Sequence, residues 1–509
     1  MLCRVSSMGL LGLSAYEVVV EVDFSTGMPT FELVGLADTA VKESKERVRT
    51  SLKNCGFLFK SGRIIINLAP ADIKKVGPFY DLPILLGILI ASGQLQADLK
   101  DSCFIGELSL GGEVRRLFGV LPMVIHAKEK GFKRIFVPME NLKEASIVKG
   151  IDCFGVENVE DIVCFLNGET KRLTKGSFDE SVFENEKFNV DFSEVKGQCM
   201  AKRALEIAAA GGHNLLLIGP PGSGKSMLAK RLPTILPKLD FKEAIEVTNI
   251  HSIAGKVTKE NPLICVRPFC SPHHSISTAG LSGGGSSVRP GEISMAHNGV
   301  LFLDEFPEFK RDVKEILRQP MEDGIITLTR AHLSVSYPCS CLVVAAMNPC
   351  PCGYFGHPTR SCSCSETKVL KYLSKVSGPI LDRLDIHVDV EPVEFSSLSE
   401  NIEEEPSSVI RARVIKARDI QKKRYEGLSF SCNAKLESKY LRKFCKLSDS
   451  AKIMLEEVFV KCCMSARTYD KILKIARTIA DLEGNENIKD EHIAEAVQYR
   501  TMDRKYWKI

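Results

Sequence analysis

Apolar and polar residues follow different periods in successive stretches of the chain, and these periods predict three structured parts. Residues 1–170 alternate short β-rich runs with stretches of helical periodicity. Residues 188–395 repeat a unit of apolar strand, loop and helix, which predicts an α/β core with a mainly parallel sheet. Residues 396–509 show helical periodicity, and the polar stretch 171–187 is predicted to be a linker. The predicted fold class is multidomain, with α+β and α/β parts followed by a helical lid.

The strongest local pattern lies in the second part, where the apolar run 215–218 leads into a glycine-rich turn and a helix-forming stretch. This order is typical of a phosphate-binding loop, in which backbone N–H groups and a helix N-terminus face a polyphosphate. The predicted loop consists of Gly219, Pro220, Pro221, Gly222, Ser223, Gly224, Lys225 and Ser226. We expect Lys225 to reach the β and γ phosphates and the Ser226 hydroxyl to bind Mg²⁺. The sequence therefore predicts a binding site for a nucleoside triphosphate.

Two further apolar runs end in polar side chains that such a site needs. Residues 300–303 lead directly into Asp304 and Glu305, and residues 341–346 come shortly before Asn348. We expect Asp304 to hold the Mg²⁺ shell and Glu305 to polarise the attacking water. The amide of Asn348 can orient that water without competing as a base. Together with the loop, these residues predict hydrolysis of the bound nucleotide.

Four cysteines form two close pairs in the segment 350–364, which is rich in turn residues. The ligands predicted for a tetrahedral Zn²⁺ site are Cys350, Cys352, Cys362 and Cys364. His357 could replace one of these thiolates. Two disulfides, an iron–sulfur cluster and four free thiols remain as alternatives.

Composition narrows the class of protein without identifying its partner. The chain has 44% hydrophobic and 26% charged residues, which is ordinary for a soluble globular protein. Its longest apolar stretch, 82–93, is too short to cross a bilayer, and early acidic residues argue against a signal peptide. The net charge of +4 does not by itself indicate nucleic-acid binding. Eighteen cysteines without a secretory signal favour a reducing, cytoplasmic location.

These motifs resemble those of the AAA+ ATPases, specifically the magnesium-chelatase branch and within it the YifB/ComM family. The likeness runs through essentially the whole chain. The segments that carry it are 195–198, 219–226, 271–292, 296–306, 377–388 and 465–468.

The resemblance implies further site residues and an assembly. Asn348 matches sensor 1, Arg383 the arginine finger, Arg467 the sensor-2 arginine, and Gln198 the segment near adenine. An arginine finger acts on the nucleotide of a neighbouring subunit, so a homo-oligomeric ring is implied, with a hexamer as the family's expected form. An ordinary ion pair of Arg383 with Asp382 or Asp385 is the alternative. ATP with Mg²⁺ is the expected cofactor, and the GTP-specifying Asn-Lys-x-Asp pattern is absent.

The first part of the chain resembles the Lon protease domain, a ribosomal S5 domain 2-like fold, but it departs from it at both catalytic positions. Phe79 stands where that family has its nucleophilic serine, and Leu121 stands where it has its lysine base. Neither side chain can do that chemistry. Ser109 and Lys128 lie nearby in sequence, but no pattern pairs them. We therefore expect a protease-like scaffold without its catalytic dyad.

Two functions remain in competition for the predicted motor. The family resemblance implies a DNA helicase or branch-migration factor that acts in the uptake and integration of DNA. The basic tips at Arg289 and Arg330 and the basic run 411–424 could contact a phosphate backbone, although such a run is often only a solvated helix face. The alternative is a chelatase-like ATPase that remodels a partner polypeptide. An ATP-dependent protease is disfavoured by Phe79 and Leu121.

Overall fold

The computed structural model describes residues 2–179, 188–285, 288–330, 333–392, 403–461 and 464–507, without the side chains of residues 330, 333 and 501–505. Within these ranges no helix is both long enough and apolar enough to cross a membrane.

The N-terminal part is built on a mixed eight-stranded sheet. Its strands, together with the short pair β6 and β7, are β1 (Leu2–Leu11), β2 (Ser14–Ser25), β3 (Thr30–Val34), β4 (Arg63–Ala69), β5 (Ser102–Phe104), β6 (Glu107–Leu108), β7 (Val114–Arg115), β8 (Arg134–Pro138), β9 (Asp152–Val156) and β10 (Thr174–Lys175). The order across the sheet is β10-β9-β8-β5-β1-β2-β4-β3. β1 and β2 form a long antiparallel hairpin, with Leu2 opposite Asp23 and Leu11 opposite Ser14.

Five helices cover this sheet: α1 (Thr39–Asn54), α2 (Asp81–Ala91), α3 (Val120–Glu129), α4 (Leu142–Ala145) and α5 (Val159–Leu166). The Asp38 carboxylate caps α1 by accepting from the Val41 N–H at 2.8 Å. Nearly every residue of α2 is buried, because this helix lies between the sheet and α1. The all-round apolar pattern of α2 is thus that of a fully enclosed helix rather than a surface helix.

The central part contains the predicted parallel sheet. Its strands lie in the order β12 (Phe269–Cys270), β15 (Val300–Leu303), β18 (Leu342–Met347), β11 (Leu215–Ile218) and β19 (Ile386–Asp389), and all pair in parallel. Every residue of β11, β15 and β18 is buried, because helices cover both faces. This arrangement confirms the predicted α/β class.

The remaining elements of this part are two hairpins and nine helices within the described residues. The hairpins are β13 (Gly283–Gly284) with β14 (Arg289–Pro290), and β16 (Ile325–Arg330) with β17 (Leu333–Pro338). The helices are α6 (Cys199–Gly211), α7 (Lys225–Ile235), α8 (Phe241–Ile253), α9 (Thr278–Ser282), α10 (Glu292–Met295), α11 (Arg311–Ile316), α12 (Arg318–Asp323), α13 (Glu366–Leu373) and α14 (Gly378–Leu381).

The C-terminal part is helical, as its periodicity predicts. Its helices are α15 (Ser407–Arg424), α16 (Ser438–Phe444), α17 (Asp449–Lys461), α18 (Ala466–Glu483) and α19 (Asp490–Trp507). Apolar residues of α15, α18 and α19 share one hydrophobic core with α6 and with the β11 face of the parallel sheet. The helical part is therefore packed directly on the α/β core.

The N-terminal part packs on the central part through helix α8. Ala244 and Val247 of α8, with Leu239 and Leu263 beside it, belong to the hydrophobic core of the N-terminal sheet. A buried hydrogen bond joins the Ser252 hydroxyl to the Glu144 carboxylate across the same contact. Packing thus crosses the predicted boundary between the first two domains.

Candidate functional site

The glycine-rich loop lies where the sequence predicts it, between buried strand β11 and helix α7. Gly222 and Gly224 have φ values of 77° and 83°, a left-handed conformation that favours glycine. Gly219 lies so close to the chain that a Cβ there would be 2.3 Å from the Val390 carbonyl oxygen. The turn therefore needs glycine at these positions, and it presents the N-terminus of α7 as an anion-binding site.

The Lys225 side chain is held inside this loop. Its Nζ donates to the carbonyl oxygens of Gly219 and Pro220, each at 2.8 Å, and to the Asn348 Oδ1 at 3.2 Å. Burial lowers the pKa of Lys225 to about 8. A bound polyphosphate would supply the counter-charge that this ammonium group needs at the N-terminus of α7.

The two predicted magnesium ligands are already in contact with each other. The Ser226 hydroxyl donates to the Asp304 Oδ2 at 2.6 Å, and the other Asp304 oxygen accepts from the Glu305 N–H at 2.9 Å. A hydroxyl and a carboxylate at this spacing are the oxygen ligands that Mg²⁺ takes beside a nucleotide. The structure thus brings together residues that lie far apart in the sequence.

Glu305 has a partner that the sequence did not predict. Its Oε2 lies 3.0 Å from Nδ1 of His274, and its own backbone is left-handed, with φ of 51°. His274 lies in the segment 271–275, whose sequence carried the family resemblance but suggested no role. The Glu305 carboxylate is thus held by the His274 imidazole in this structure.

Gln198 contacts the same loop from the start of helix α6. Its side-chain amide donates to the Ser223 carbonyl oxygen, and its backbone is left-handed, with φ of 56°. Gln198 therefore lies beside the phosphate loop, and its place near adenine stays a prediction.

The two predicted arginines lie at the opposite edge of the sheet. Lys225, Asp304 and Asn348 all follow the carboxyl ends of parallel strands, whereas Arg383 precedes the amino end of β19. Arg383 and the exposed Arg467 line one cleft. Because strands β11 and β19 run parallel, this cleft lies a strand's length, roughly 13 Å, from the chain's own phosphate loop.

The Arg383 guanidinium pairs with Glu322, and it also donates to the Pro379 carbonyl oxygen at 2.6 Å. Its ion-pair partner is therefore neither Asp382 nor Asp385, the two residues that the sequence suggested as the alternative.

Asn214 links this arginine to the two strands that carry the catalytic groups. Its side chain donates to the Arg383 carbonyl oxygen at 3.2 Å and accepts from the Val343 N–H of β18 at 2.9 Å. Asn214 itself immediately precedes β11. A displacement of the Arg383 segment would therefore be transmitted to the strands that end at the phosphate loop and at Asn348.

Asp385, which the sequence suggested only as a partner of Arg383, has two other partners at this edge. Its carboxylate lies 3.0 Å from the Lys471 Nζ of helix α18 and 3.5 Å from the His213 ring. Burial alone would raise the pKa of Asp385, but Lys471 and His213 together hold it well below the usual 3.8. Since α18 begins at Ala466, this ion pair fixes the helix that carries Arg467.

Comparison with known protein families matches each of the three parts of the chain to a magnesium-chelatase family model. Residues 191–398 match the family model "Magnesium chelatase, subunit ChlI", residues 20–141 match "Subunit ChlI of Mg-chelatase", and residues 404–500 match "Magnesium chelatase, subunit ChlI C-terminal".

Full-length relatives decide the family. Competence protein ComM of Haemophilus influenzae is 43% identical over 513 residues, which cover 100% of this chain and 99% of ComM. YifB of Escherichia coli, an uncharacterized protein, is 41% identical over 97% of this chain and 96% of its own. An uncharacterized protein of Mycobacterium tuberculosis is 39% identical over 98% of both chains. The chain belongs to the YifB/ComM family. It is accordingly a magnesium-chelatase-like AAA+ protein, the class in which ATPase activity is expected.

In this YifB/ComM protein the four predicted cysteine ligands do come together. Their sulfurs all lie within 4.8 Å of one another, with Cys350, Cys352 and Cys362 separated by 3.3 to 3.7 Å. A tetrahedral site with Zn–S bonds of about 2.3 Å places its sulfurs roughly 3.8 Å apart, so the cluster fits such an ion. All four are free thiols rather than disulfides. The His357 Nδ1 instead accepts from the backbone amides of Thr359 and Arg360.

The N-terminal part of this family member has hydrocarbon at both positions where a protease dyad was considered. The side chains of Phe79 and Leu121 are both buried in the core of the N-terminal sheet. Ser109, one nearby substitute, accepts from the Glu113 N–H at 3.0 Å and is itself buried. The second, Lys128, lies beside Gly150. Ser109 is thus engaged by Glu113, whereas the Lys128 side chain is exposed.

The two predicted basic tips lie on different hairpins. Arg289 is exposed on the β13–β14 hairpin, and Arg330 ends strand β16. The two hairpins are joined by the Tyr337 hydroxyl, which donates to the Val288 carbonyl oxygen at 2.5 Å.

The basic run of α15 is partly used inside the protein. Arg413 pairs with Glu206 and Glu405, and Arg424 pairs with Asp481. The side chains of Lys416, Lys422 and Lys423 are exposed. A phosphate track along this helix therefore stays a prediction.

Proposed function

We propose that this protein is an ATP-driven ring motor that acts on DNA as a helicase or branch-migration factor during DNA uptake and integration. The observation that carries the ring is the separation of the two halves of the site. Arg383 and Arg467 lie at the amino-terminal edge of the parallel sheet, while the phosphate loop lies at the carboxyl-terminal edge. One chain cannot bring both sets onto one nucleotide.

The chemistry divides among the residues as follows. Lys225 and the loop amides hold the phosphates, and Ser226 and Asp304 hold Mg²⁺. Glu305, released from His274, polarises the attacking water, and Asn348 orients it. The arginine pair comes from the neighbouring subunit and stabilises charge that develops on the transferred phosphoryl group. Closed rings of identical subunits satisfy every such site, and a hexamer is the form that the family favours.

DNA is the substrate that we favour, for two reasons. A relative 43% identical over the whole chain is named a competence protein. In addition, the exposed Arg289 lies on a hairpin that packs against the base of a second hairpin, whose first strand ends at Arg330. An exposed arginine on a hairpin of a ring subunit suits a phosphate backbone.

The test compares ATP turnover with and without forked or single-stranded DNA, beside gel-shift assays at several salt concentrations. Reversing Arg289 and Arg330 to glutamate should weaken binding of all sequences alike and flatten the salt dependence. Lys53→Glu, an equal charge change on exposed helix α1, is the control and should leave DNA binding unchanged. If DNA does not stimulate ATP turnover, and neither charge reversal changes DNA binding, the alternative of a protein-remodelling ATPase is favoured.

We also propose that the four clustered cysteines hold one structural Zn²⁺ per chain. Free thiols throughout the described residues fit a reducing compartment, and we propose the cytoplasm. Metal analysis of protein purified without added zinc tests the site. A stoichiometry near one that is lost in the Cys350→Ser/Cys352→Ser variant supports it, and a value near zero in reduced protein contradicts it.

A further inference from the structure

We infer that the cysteine knuckle, residues 350–364, stabilises the nucleotide site. The metal bound by its cysteines holds the phosphate loop in the conformation that binds ATP. This inference rests on the zinc assignment proposed above. It goes beyond that assignment because a structural metal need not influence any distant site.

The knuckle begins almost inside the nucleotide site. Strand β18 ends at Met347, Asn348 follows, and only Pro349 separates Asn348 from the first ligand, Cys350. Asn348 accepts from the Lys225 ammonium at 3.2 Å. A shift of Cys350 therefore moves the residue that contacts the phosphate-binding lysine.

The knuckle also lies directly against the phosphate loop. A Cβ built on Gly353 would be 2.3 Å from Cδ and 2.7 Å from Cγ of Pro221. Contacts this short leave no room for a methyl group between the Gly353 backbone and the Pro221 ring. Gly353 lies next to the ligand Cys352, so the position of the metal cluster sets the position of Pro221.

The chain that follows the knuckle returns to the neighbourhood of Asn348. Helix α13 starts at Glu366, shortly after the last ligand, Cys364. The Tyr372 side chain of this helix lies near the backbone amide of Asn348, which acts to lower the pKa of the Tyr372 hydroxyl against the larger rise caused by burial. The knuckle is thus enclosed between two contacts with Asn348 and one with the phosphate loop.

Apart from the cysteine cluster, the knuckle is held by a few local contacts, such as the Arg360 guanidinium on Tyr354 and backbone amides on His357. Most side chains between Pro351 and Ser365 are exposed, and Phe355 is 37% exposed. Backbone amides donate to two of the sulfurs, from Phe355 to Cys350 at 3.3 Å and from Cys364 to Cys362 at 3.4 Å. Such bonds stabilise thiolates, which are the form that binds metal. Without the ion, the conformational entropy of this segment has few contacts to oppose it.

Two glycines of the knuckle provide a matched pair of variants. Gly353 and Gly356 both have left-handed backbones, with φ of 85° and 74°, so alanine strains both alike. Only Gly353 contacts the phosphate loop, since a Cβ on Gly356 would have nothing within 4 Å. Neither substitution removes a sulfur. The readouts are zinc content and the Kd of a fluorescent ADP analogue in excess Mg²⁺.

We expect Gly353→Ala to raise the Kd of the nucleotide about tenfold. Gly356→Ala should leave this Kd within about twofold of the wild-type value. Full-length protein stripped with a zinc-selective chelator should lose nucleotide affinity to a similar extent. Readdition of Zn²⁺ should restore the affinity. Circular dichroism and particle mass confirm that the stripped protein keeps its helices and its assembly.

Equal affinity in the stripped and loaded protein overturns the inference, and so does a Gly353→Ala variant that binds nucleotide normally. Because nucleotide binding is measured without DNA, a failure of the DNA proposal leaves these results unaffected. Absence of zinc in the purified protein would instead remove the zinc assignment and leave the ATPase proposal intact.

Discussion

Mixed rings of two inactive variants should recover ATP turnover. Arg383→Ala subunits keep a complete phosphate loop and Glu305 but offer no finger to their neighbour. Glu305→Gln subunits have the opposite defect. Because Arg383 lies at the far edge of the sheet from its own loop, roughly 13 Å away, one variant can complete the other's site.

The size of the recovery follows from counting neighbours. A site works only if its owner has Glu305 and the adjacent subunit has Arg383. In a random equal mixture each condition holds for half of the subunits, so about a quarter of the sites are complete. Either variant alone should retain a hundredth or less of wild-type turnover, in line with the loss of about two or three powers of ten for one transition-state contact. Turnover should therefore rise and fall with composition and peak near equal amounts.

The assay mixes the subunits without nucleotide, adds ATP and Mg²⁺, and measures phosphate release at constant total protein. Lys225→Ala mixed with Glu305→Gln is the matched control. Both of these residues lie in the same chain's half of the site, so no pair of neighbours is complete and no recovery is expected. Activity that merely averages the two variants in rings of proven mixed composition would refute an arginine acting between subunits, as would equal recovery in the control.

Three further outcomes follow from the same contacts. Lys225→Ala should abolish ATP binding, whereas Glu305→Gln should keep binding and lose turnover by about two or three powers of ten; a Gln variant near the wild-type rate contradicts the base assignment. Lys471→Met should lower the free energy of unfolding by about 1 to 2 kcal/mol at pH 7, because it leaves the half-buried Asp385 without its nearest cation. The pKa of Asp385 is lowered in the folded protein, so the pair is intact above the usual 3.8 and is lost only as pH falls through the folded pKa. In the variant the carboxyl can take up a proton, so denaturant unfolding should show a smaller difference at pH 4 than at pH 7; equal differences would count against the pair. The full chain with ATP should not cleave casein, since hydrocarbon occupies both dyad positions.

Local chemistry was readable from the sequence. The phosphate loop is contiguous, and its glycines, lysine and serine have one backbone conformation that suits them after a buried strand. Residues that follow parallel strands are brought to one edge by topology alone, which is why Asp304 and Asn348 meet Lys225 and Ser226 as expected. The periodicity of the C-terminal part was enough to predict helices.

Partners of individual charges were not readable in the same way. The basic run of α15 has the composition of a nucleic-acid track, yet Arg413 and Arg424 pair with carboxylates of other elements. His274 and Glu305 lie on different elements, and no spacing rule connects an imidazole to a carboxylate over that distance in sequence. Lys471 and Asp385 likewise meet only because helix α18 packs on the edge of the sheet.

The sequence by itself determined which chemical groups are present, which short segments bend or extend, and to which family the pattern belongs. The tertiary structure alone decided that Arg383 and Arg467 share a cleft away from their own phosphate loop, and that Gly353 of the knuckle lies against Pro221. Backbone propensity and periodicity act over a few residues, so they are written in the local sequence. Contacts between distant segments depend on how whole elements pack. The local sequence around a charge or a glycine therefore does not specify which distant residue it will contact.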